Sequence, residues 1–149
     1  MNCTPIGIVR SPVTEGVDFG WGGVVSEIHI DRELAAGLAG LESFSHIVIV
    51  FDMHKSTWTP GNDLARHPRG RADMPRLGIF AQRAKHRPNP IGITTVRLLG
   101  VEGNVLKVQG LDAIDGTPVL DIKPYFPQFD EASGCRIPEW VDRLMTGYF

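Results

Sequence analysis

The sequence contains little cysteine and no long apolar run, and each absence excludes a class of protein. Only Cys3 and Cys135 occur among 149 residues, so a disulfide-rich scaffold is excluded, and no Cys/His spacing typical of a metal site is present. The longest apolar run, Ile47 to Phe51, is far shorter than the roughly 18 residues of a membrane-spanning helix, and no apolar signal region opens the chain. We therefore expect a cytoplasmic protein with free thiols, no metal and no membrane anchor.

Three arrangements common in enzymes are also missing. No Gly-x-Gly-x-x-Gly follows an apolar run, which argues against a Rossmann nucleotide site. No Gly-x-Ser-x-Gly elbow and no cysteine-nucleophile motif occurs either. The residues left to carry chemistry are cations, amides and carboxylates.

Acidic and basic residues nearly balance over the whole chain but not along it. The net charge of −2 argues against a strongly basic nucleic-acid-binding protein. Residues 66–87, however, hold seven of the fifteen lysines and arginines and one of the seventeen acids, so this segment carries +6. It can focus a polyanion onto one face, with Arg66, Arg69 and Arg71 as candidate phosphate contacts, or it is a solvated flexible loop.

Short β-branched runs separated by glycine and proline dominate the rest of the sequence. Val24 to Ile30 alternates along the chain, which predicts a strand with one buried face. Ser45 to Met53 is almost continuously apolar and predicts a central strand buried on both faces. Gly103-Asn104, between two such runs, is typical of a two-residue hairpin. Many short strands of this kind predict a closed or nearly closed β-barrel.

The expected helices are few and short. Asp31 is expected to cap one, and Pro138 to Met145 is expected to form another, with proline in its first turn. Residues 56–76 predict a long loop without secondary structure, of a kind that is usually functional or mobile. The length and the 42% hydrophobic content are typical of one folded domain. We predict a mainly β protein, a small single-domain β-barrel over residues 1–149 with one or two short helices.

The most informative stretch is Gly78 to Gly92, with the sequence GIFAQRAKHRPNPIG. The apolar run from Leu77 to Ala81 predicts a buried strand that leads into the cations. Pro88 and Pro90 lock their own φ and restrict the residue before each, so Asn89 has few conformations left. A rigid loop with several cations and an amide is typical of a place where a ligand meets fixed donors. A proline-stiffened turn with a solvated basic face is the alternative.

Five motifs, taken in order, resemble the signature of the TsaA-like (TrmO-type) family of S-adenosylmethionine-dependent tRNA methyltransferases. They are Ile6–Pro12 (IGIVRSP), Gly40–His46 (GLESFSH) with the apolar run that ends at His54, Phe80–Gly92 (FAQRAKHRPNPIG), Leu111–Pro118 (LDAIDGTP) and Leu120–Tyr125 (LDIKPY). The resemblance covers nearly the whole chain and implies a small β-barrel. It also implies an enzyme that uses S-adenosyl-L-methionine to methylate N6 of threonylcarbamoyl-adenosine at position 37 of tRNA.

The resemblance further implies which residues contact the cofactor. They are His54, Lys55, Arg83, Ile93 through its backbone, Gln109, Gly110, Leu111 and Asp112. The rigid loop adds Arg87 and Asn89, because a guanidinium suits a carboxylate or phosphate in bidentate geometry and the amide lies between two prolines. For His54, a ring that satisfies a nearby carbonyl is the ordinary alternative.

Methyl transfer to an exocyclic amine needs a group that orients the amine and accepts its proton. The candidates are Asp112, Asp115, Lys123 and Tyr125, with no firm assignment of the base. Asp115 precedes a glycine and is alternatively a turn residue, while Lys123 and Tyr125 are alternatively ordinary residues of an edge strand. In the glycine-rich stretch from Val17 to Gly23, Trp21 is either a stacking platform or a plug at one end of the barrel.

Two other functions stay open on the sequence. One is a barrel that binds the cofactor or a nucleotide without catalysis, and the other is a methyltransferase for a different nucleobase or small molecule. A homodimer is expected, because the predicted ligands lie in separated loops and a 16.4 kDa barrel encloses little of so large a cofactor. A twofold axis would present the same patch twice and supply the missing wall. A monomer with Trp21 and Phe126 capping the barrel is the alternative.

Overall fold

The computed structural model describes residues 2–149. Its strands are β1 (Gly7–Arg10), β2 (Val25–Ile30), β3 (His46–Asp52), β4 (Ala65–Arg66), β5 (Leu77–Gly78), β6 (Ile91–Glu102), β7 (Val105–Gln109) and β8 (Pro118–Pro124). Six of them close into an antiparallel barrel in the order β1-β2-β7-β6-β3-β8, and β4 pairs with β5 in a separate small sheet. The predicted fold class, a mainly β small barrel with few short helices, is confirmed. The single domain over residues 1–149 stays a prediction.

Alternate residues of the barrel strands build the core. Ile47, Ile49 and Phe51 on β3 are buried and belong to the same apolar cluster as Ile28 and Ile30 on β2. The alternation predicted for β2 is therefore confirmed. Full burial of one such side chain stabilises a fold by about 1.5–3 kcal/mol. The barrel is thus the rigid body from which the loops project.

The strand register defines two ends of the barrel. Asp52 at the end of β3 pairs with Ile91 at the start of β6, and Gln109 at the end of β7 pairs with Val25 at the start of β2. We call the end that these residues share the upper end. The start of β3 and the end of β8 pair with each other at the opposite, lower end.

Residues 56–76 contain more structure than the sequence predicts. They hold helix α1 (Pro60–Asp63), strand β4 and a 3-10 helix over Pro68–Gly70. The pairing of β4 with β5 organises this stretch, because it brings Ala65 opposite Gly78. The prediction of a loop without secondary structure is therefore wrong.

The buried strand predicted over Leu77 to Ala81 is wrong beyond Gly78. There the backbone turns into a 3-10 helix, Ile79–Ala81, which buries Ile79 but leaves Phe80 77% exposed. The β5 ladder has only two residue pairs, so it cannot hold the following residues in extended geometry. The apolar run is consequently divided between a short strand and a turn.

The remaining helices are short and lie outside the barrel wall. They are 3-10 helices over Trp21–Gly23, Arg32–Leu38 and Leu41–Ser43, helix α2 (Pro127–Asp130) and helix α3 (Glu139–Met145). The predicted C-terminal helix is confirmed, with Pro138 immediately before its first residue. Asp31 precedes the 3-10 helix over Arg32–Leu38, but its side chain makes no capping hydrogen bond, so that part of the prediction is wrong. In residues 2–149, no helix has the length and apolar character that crossing a membrane requires.

Candidate active site at the upper end of the barrel

The loop over residues 82–90 is held by hydrogen bonds from its own side chains. Gln82 is buried, and its Nε2 donates to the carbonyl oxygens of Arg66 and Leu77, both at 2.9 Å. Arg87 Nη1 donates back to the carbonyl of Gln82 at 3.0 Å. Arg87 therefore stabilises the fold of the loop, with one of its five N–H groups used in this way.

Arg83 and Ile93, two of the predicted cofactor contacts, lie side by side. Arg83 Nη2 donates to the carbonyl oxygen of Ile93 at 2.6 Å, while the Arg83 side chain stays exposed. Asn89, in the same loop, is also exposed. Arg83 can therefore present its other N–H groups to a ligand while the Ile93 carbonyl fixes its position.

The same loop is tied to the end of β3, next to His54 and Lys55. The N–H of Met53 donates to the carbonyl of Pro90 at 2.7 Å. His54 and Lys55 follow directly and are exposed. The structure thus brings the end of β3 and the 82–90 loop together at the upper end.

His86 connects this loop to a second one. Its Nδ1 accepts a hydrogen bond of 2.9 Å from the backbone N–H of Thr57, which requires the neutral ring. Partial burial and then the positive charges of Lys85 and Arg66 lower the pKa of His86. His86 is therefore a neutral acceptor at ordinary pH and is not one of the cations of the loop.

The turn after β7 carries four predicted contacts. Gly110 has a φ of 89°, a conformation that glycine adopts without strain. Gln109 Nε2 donates to the carbonyl of Gly22 at 3.1 Å, and Leu111 is fully buried. These contacts anchor the turn and position Asp112 at the upper end.

Both oxygens of the Asp112 carboxylate accept hydrogen bonds from the protein. Thr94 Oγ1 donates to Oδ1, and the phenol of Tyr148 donates to Oδ2 at 2.7 Å. Thr94 is buried and belongs to the same alternating set on β6 as the core residue Val96. Burial and then the negative charge of Asp112 raise the pKa of Tyr148, so its phenol stays protonated and donates. Sequence reasoning missed both donors.

The glycine-rich stretch before β2 binds the end of the described chain. The N–H groups of Gly20 and Trp21 donate to the carbonyls of Gly147 and Tyr148, at 2.8 and 2.7 Å. Trp21 is 2% exposed, and its indole N–H donates to the carbonyl of Val17 at 2.9 Å. A ring buried in this way offers no exposed face for stacking, whereas its role as a plug at one end of the barrel stays a prediction.

The basic segment is partly neutralised by its own neighbours. The ion pairs are Arg66–Asp63 at 3.3 Å, Arg69–Asp18 at 3.4 Å and Arg71–Asp73 at 2.6 Å. Arg76 and Lys85 are exposed, and neither is in an ion pair within residues 2–149. Arg76 and Lys85 are therefore additional candidate phosphate contacts, and the role of the three paired arginines stays a prediction.

The four candidates for proton transfer are not brought together. Asp115 lies at the upper end, where its Oδ1 accepts from the N–H of Ser11 at 3.1 Å, as a turn residue does. Lys123 pairs with Asp121 at 2.6 Å on β8, and Tyr125 lies at the lower end, edge-on to the ring of His46. Only the two aspartates therefore share the upper end.

A cavity at the lower end carries none of the predicted cofactor contacts. Its volume is about 320 Å³, and its lining includes the apolar side chains of Leu38, Leu41 and Phe44. These side chains offer no charge to a cationic or anionic ligand. The lower cavity therefore does not suit a charged ligand, and the upper end, with its charged side chains, is the better candidate site.

The upper end combines exposed cations with one carboxylate held from two sides. Arg83 and Lys55 supply positive charge, and Asp112 supplies hydrogen-bond acceptors. The strand alternation of β6 could have identified Thr94 as an inward-facing hydroxyl. No sequence signal pointed to Tyr148, because it lies 36 residues from Asp112.

A closed six-stranded barrel with charged loops at one end defines a small β-barrel protein whose candidate ligand site lies at that end. Residues 20–131 match the family described as the tRNA-methyltransferase O N-terminal domain. The chain belongs to this family, and the resemblance that the sequence motifs indicated is confirmed.

Individual relatives agree with the family. The chain is 38% identical over 144 residues to a probable S-adenosyl-L-methionine-binding protein of Pyrococcus abyssi, covering 93% of this chain and 75% of that protein. It is 46% identical over 100 residues to the mouse tRNA (adenine(37)-N6)-methyltransferase, covering 67% of this chain and 23% of the mouse protein. A crystal structure of TrmO from Pseudomonas aeruginosa superposes with a TM-score of 0.76 at 33% identity, over 94% of this chain. The chain spans 61% of that crystallised protein.

Proposed function

We propose that this protein is an S-adenosyl-L-methionine-dependent methyltransferase that acts on N6 of threonylcarbamoyl-adenosine at position 37 of tRNA. The match of residues 20–131 to the tRNA-methyltransferase O N-terminal domain carries the proposal. The mouse relative, whose name gives the same base and position, supports it. The part of the proposal that the target adenosine carries a threonylcarbamoyl group is supported only by the resemblance of the five sequence motifs.

The residues of the upper end fit the proposed cofactor. S-adenosyl-L-methionine supplies an activated methyl group and also carries an amino-acid carboxylate, an amine and ribose hydroxyls. Arg83 and Lys55 are exposed cations, which suit a carboxylate. The Asp112 carboxylate has acceptor positions beyond the two that Thr94 and Tyr148 fill, and these suit an amine or a hydroxyl.

The chain must also hold the target amine in line and take up one proton. Asp112 and Asp115 are the carboxylates of the upper end, and Asp115 is already tied to Ser11 in a turn. Asp112 is therefore our first candidate for contact with the reacting groups. Lys123 and Tyr125 take part only if a second copy of the chain brings them to this end.

Calorimetry with S-adenosyl-L-methionine, followed by transfer of a labelled methyl group to tRNA, tests the proposal. We expect binding, and label on tRNA that carries threonylcarbamoyl-adenosine but not on tRNA that lacks it. Mass spectrometry of tRNA nucleosides from cells with and without the protein identifies the methylated base. Equal label on both tRNAs would contradict the threonylcarbamoyl requirement, and label on another base or on a small molecule would contradict the substrate.

A second candidate function is binding of the cofactor without catalysis. The name of the Pyrococcus abyssi relative, which refers to binding and not to methylation, favours it. Binding in the calorimeter without any transfer of label would support this candidate and contradict the methyltransferase.

We further propose that the working unit is a homodimer in the cytoplasm, with the cofactor near the subunit boundary. Ile91 and Ile93, at the upper end of β6, are 46% and 50% exposed, and such apolar surface favours a partner. The two exposed free cysteines fit a reducing compartment. Sedimentation at micromolar concentration is expected to give a dimer. A 16 kDa species that binds cofactor one-to-one and methylates tRNA would contradict the shared site.

A further inference from the structure

Tyr148 reaches the candidate site from outside the part of the chain that matches the family. The family model covers residues 20–131, whereas the Tyr148 phenol donates to Asp112 Oδ2 at 2.7 Å. Thr94 holds the other oxygen of the same carboxylate. With one donor on each oxygen, the Asp112 carboxylate is fixed in one plane and keeps acceptor positions for a ligand.

The backbone of residues 147–149 is docked closely enough to hold Tyr148 in place. Gly147 and Tyr148 accept hydrogen bonds from Gly20 and Trp21. A Cβ atom on Gly22 would lie 2.5 Å from the carbonyl carbon of Phe149, so only glycine permits this approach. The docking therefore depends on the glycine-rich stretch before β2.

The ring of Tyr148 is also held from a second direction. The guanidinium of Arg69 lies over it, 5.1 Å from the ring centroid, and pairs with Asp18 at 3.4 Å. Within residues 2–149, Arg69 is the one residue other than glycine with a positive φ, 53°. Such strained residues persist where the surrounding contacts fix them, and they cluster at ligand sites.

We propose that Tyr148 is a positioning residue that fixes the Asp112 carboxylate for binding of S-adenosyl-L-methionine at the upper end of the barrel. The inference rests on the proposed function. Tyr148 acts through Asp112, so its effect on cofactor affinity requires the Asp112 carboxylate.

Four variants test the inference by calorimetry with S-adenosyl-L-methionine, after unfolding curves have shown that each is folded. They are Tyr148→Phe, Asp112→Asn, the double variant, and Thr146→Val as a control. Thr146 is matched because it lies directly before residues 147–149, but its hydroxyl donates to the carbonyl of Asp142 within α3.

We expect Tyr148→Phe to weaken cofactor binding about tenfold, which corresponds to about 1.4 kcal/mol. Thr146→Val is expected to bind like the wild type. The double variant is expected to bind no more weakly than Asp112→Asn alone, because two residues that act as one unit are not additive. A residue with a merely structural role would weaken binding in both backgrounds.

Each other outcome overturns the inference. Unchanged affinity in Tyr148→Phe removes its role, and tighter binding shows that residues 147–149 compete with the cofactor. An equal loss in both backgrounds, or in Thr146→Val, shows a general effect on folding.

A second variant replaces Tyr148→Phe if that protein does not fold. Gly22→Ala displaces the backbone of residues 147–149 and is expected to weaken cofactor binding similarly. Unchanged affinity in Gly22→Ala overturns the inference. Wild-type protein that binds no cofactor overturns the proposed function as well, whereas wild-type binding with an unaffected Tyr148→Phe overturns this inference alone.

Discussion

At the scale of single residues, Arg83 combines a fixed position with an exposed charge. Its Nη2 donates to the Ile93 carbonyl at 2.6 Å, and the side chain remains exposed. We expect Arg83→Ala to weaken binding of S-adenosyl-L-methionine by about 1.5–3 kcal/mol, the range for a charge-assisted hydrogen bond. Calorimetry measures this, with Arg136→Ala as an exposed control. An unchanged dissociation constant in folded Arg83→Ala would remove Arg83 from the site.

His86 predicts a pH dependence of stability. Its pKa in the folded protein is lowered from 6.5, chiefly by burial, so the folded state binds its proton less readily than the unfolded state. The neutral His86 ring therefore stabilises the fold fully above about pH 6.5. This stabilisation is lost as the pH falls below that value. Thermal unfolding at a series of pH values measures it.

The matched variant for this prediction is His86→Asn. An asparagine amide oxygen can accept the hydrogen bond from Thr57 that the His86 Nδ1 accepts at 2.9 Å, but it does not titrate. We expect the decline of stability below pH 6.5 to be smaller in His86→Asn. Identical declines in both proteins would assign the pH dependence to other groups.

At the scale of elements, the packing of β3 against β6 depends on one glycine. A Cβ atom on Gly92 would lie 2.3 Å from the ring of Phe51, and that ring is buried in the core. We expect Gly92→Ala to destabilise the fold by about 1–3 kcal/mol, as overpacking does. Gly100→Ala, on the same strand with open space around it, is expected to change stability by less than about 0.5 kcal/mol. Denaturant unfolding measures the free energy of unfolding of both variants. Equal changes would show that strand propensity, and not packing against Phe51, determines the effect of Gly92→Ala.

At the scale of the whole molecule, the distribution of charge predicts how tRNA binds. Lys55, Arg76 and Lys85 are exposed and in no ion pair of the described chain, whereas Arg66, Arg69 and Arg71 each pair with an aspartate. Replacing these three residues by glutamine is expected to reduce the slope of log affinity against log salt by about 2–3, because fewer counterions are released.

The control for this measurement removes the same charge elsewhere. Arg32, Lys107 and Arg136 are three exposed cations outside the basic segment that form no ion pair in the described chain. Their triple glutamine variant is expected to keep the wild-type salt slope in tRNA binding assays. A slope that falls equally in both triple variants would mean that net charge, and not this surface, sets the affinity.

Much of the fold followed from local patterns in the sequence. The alternation of β2, the apolar run of β3 and the Gly103-Asn104 hairpin each depend on neighbouring residues, and the structure has all three. The short 3-10 helix after Gly78 did not follow, because its reason is the two-pair ladder between β4 and β5. An apolar run alone does not reveal how far its partner strand extends.

The sequence by itself determined the barrel class, the family and the proline-stiffened loop, because these depend on residue order and backbone restriction. The tertiary structure decided which charges are unpaired and which residues meet at the upper end. Asp112 and Tyr148 meet because residues 147–149 dock on a glycine-rich stretch, and Lys123 and Tyr125 are kept away because β8 runs from the upper end to the lower. Contacts of this kind join residues far apart in the chain, so only the closed barrel and its loops could place them.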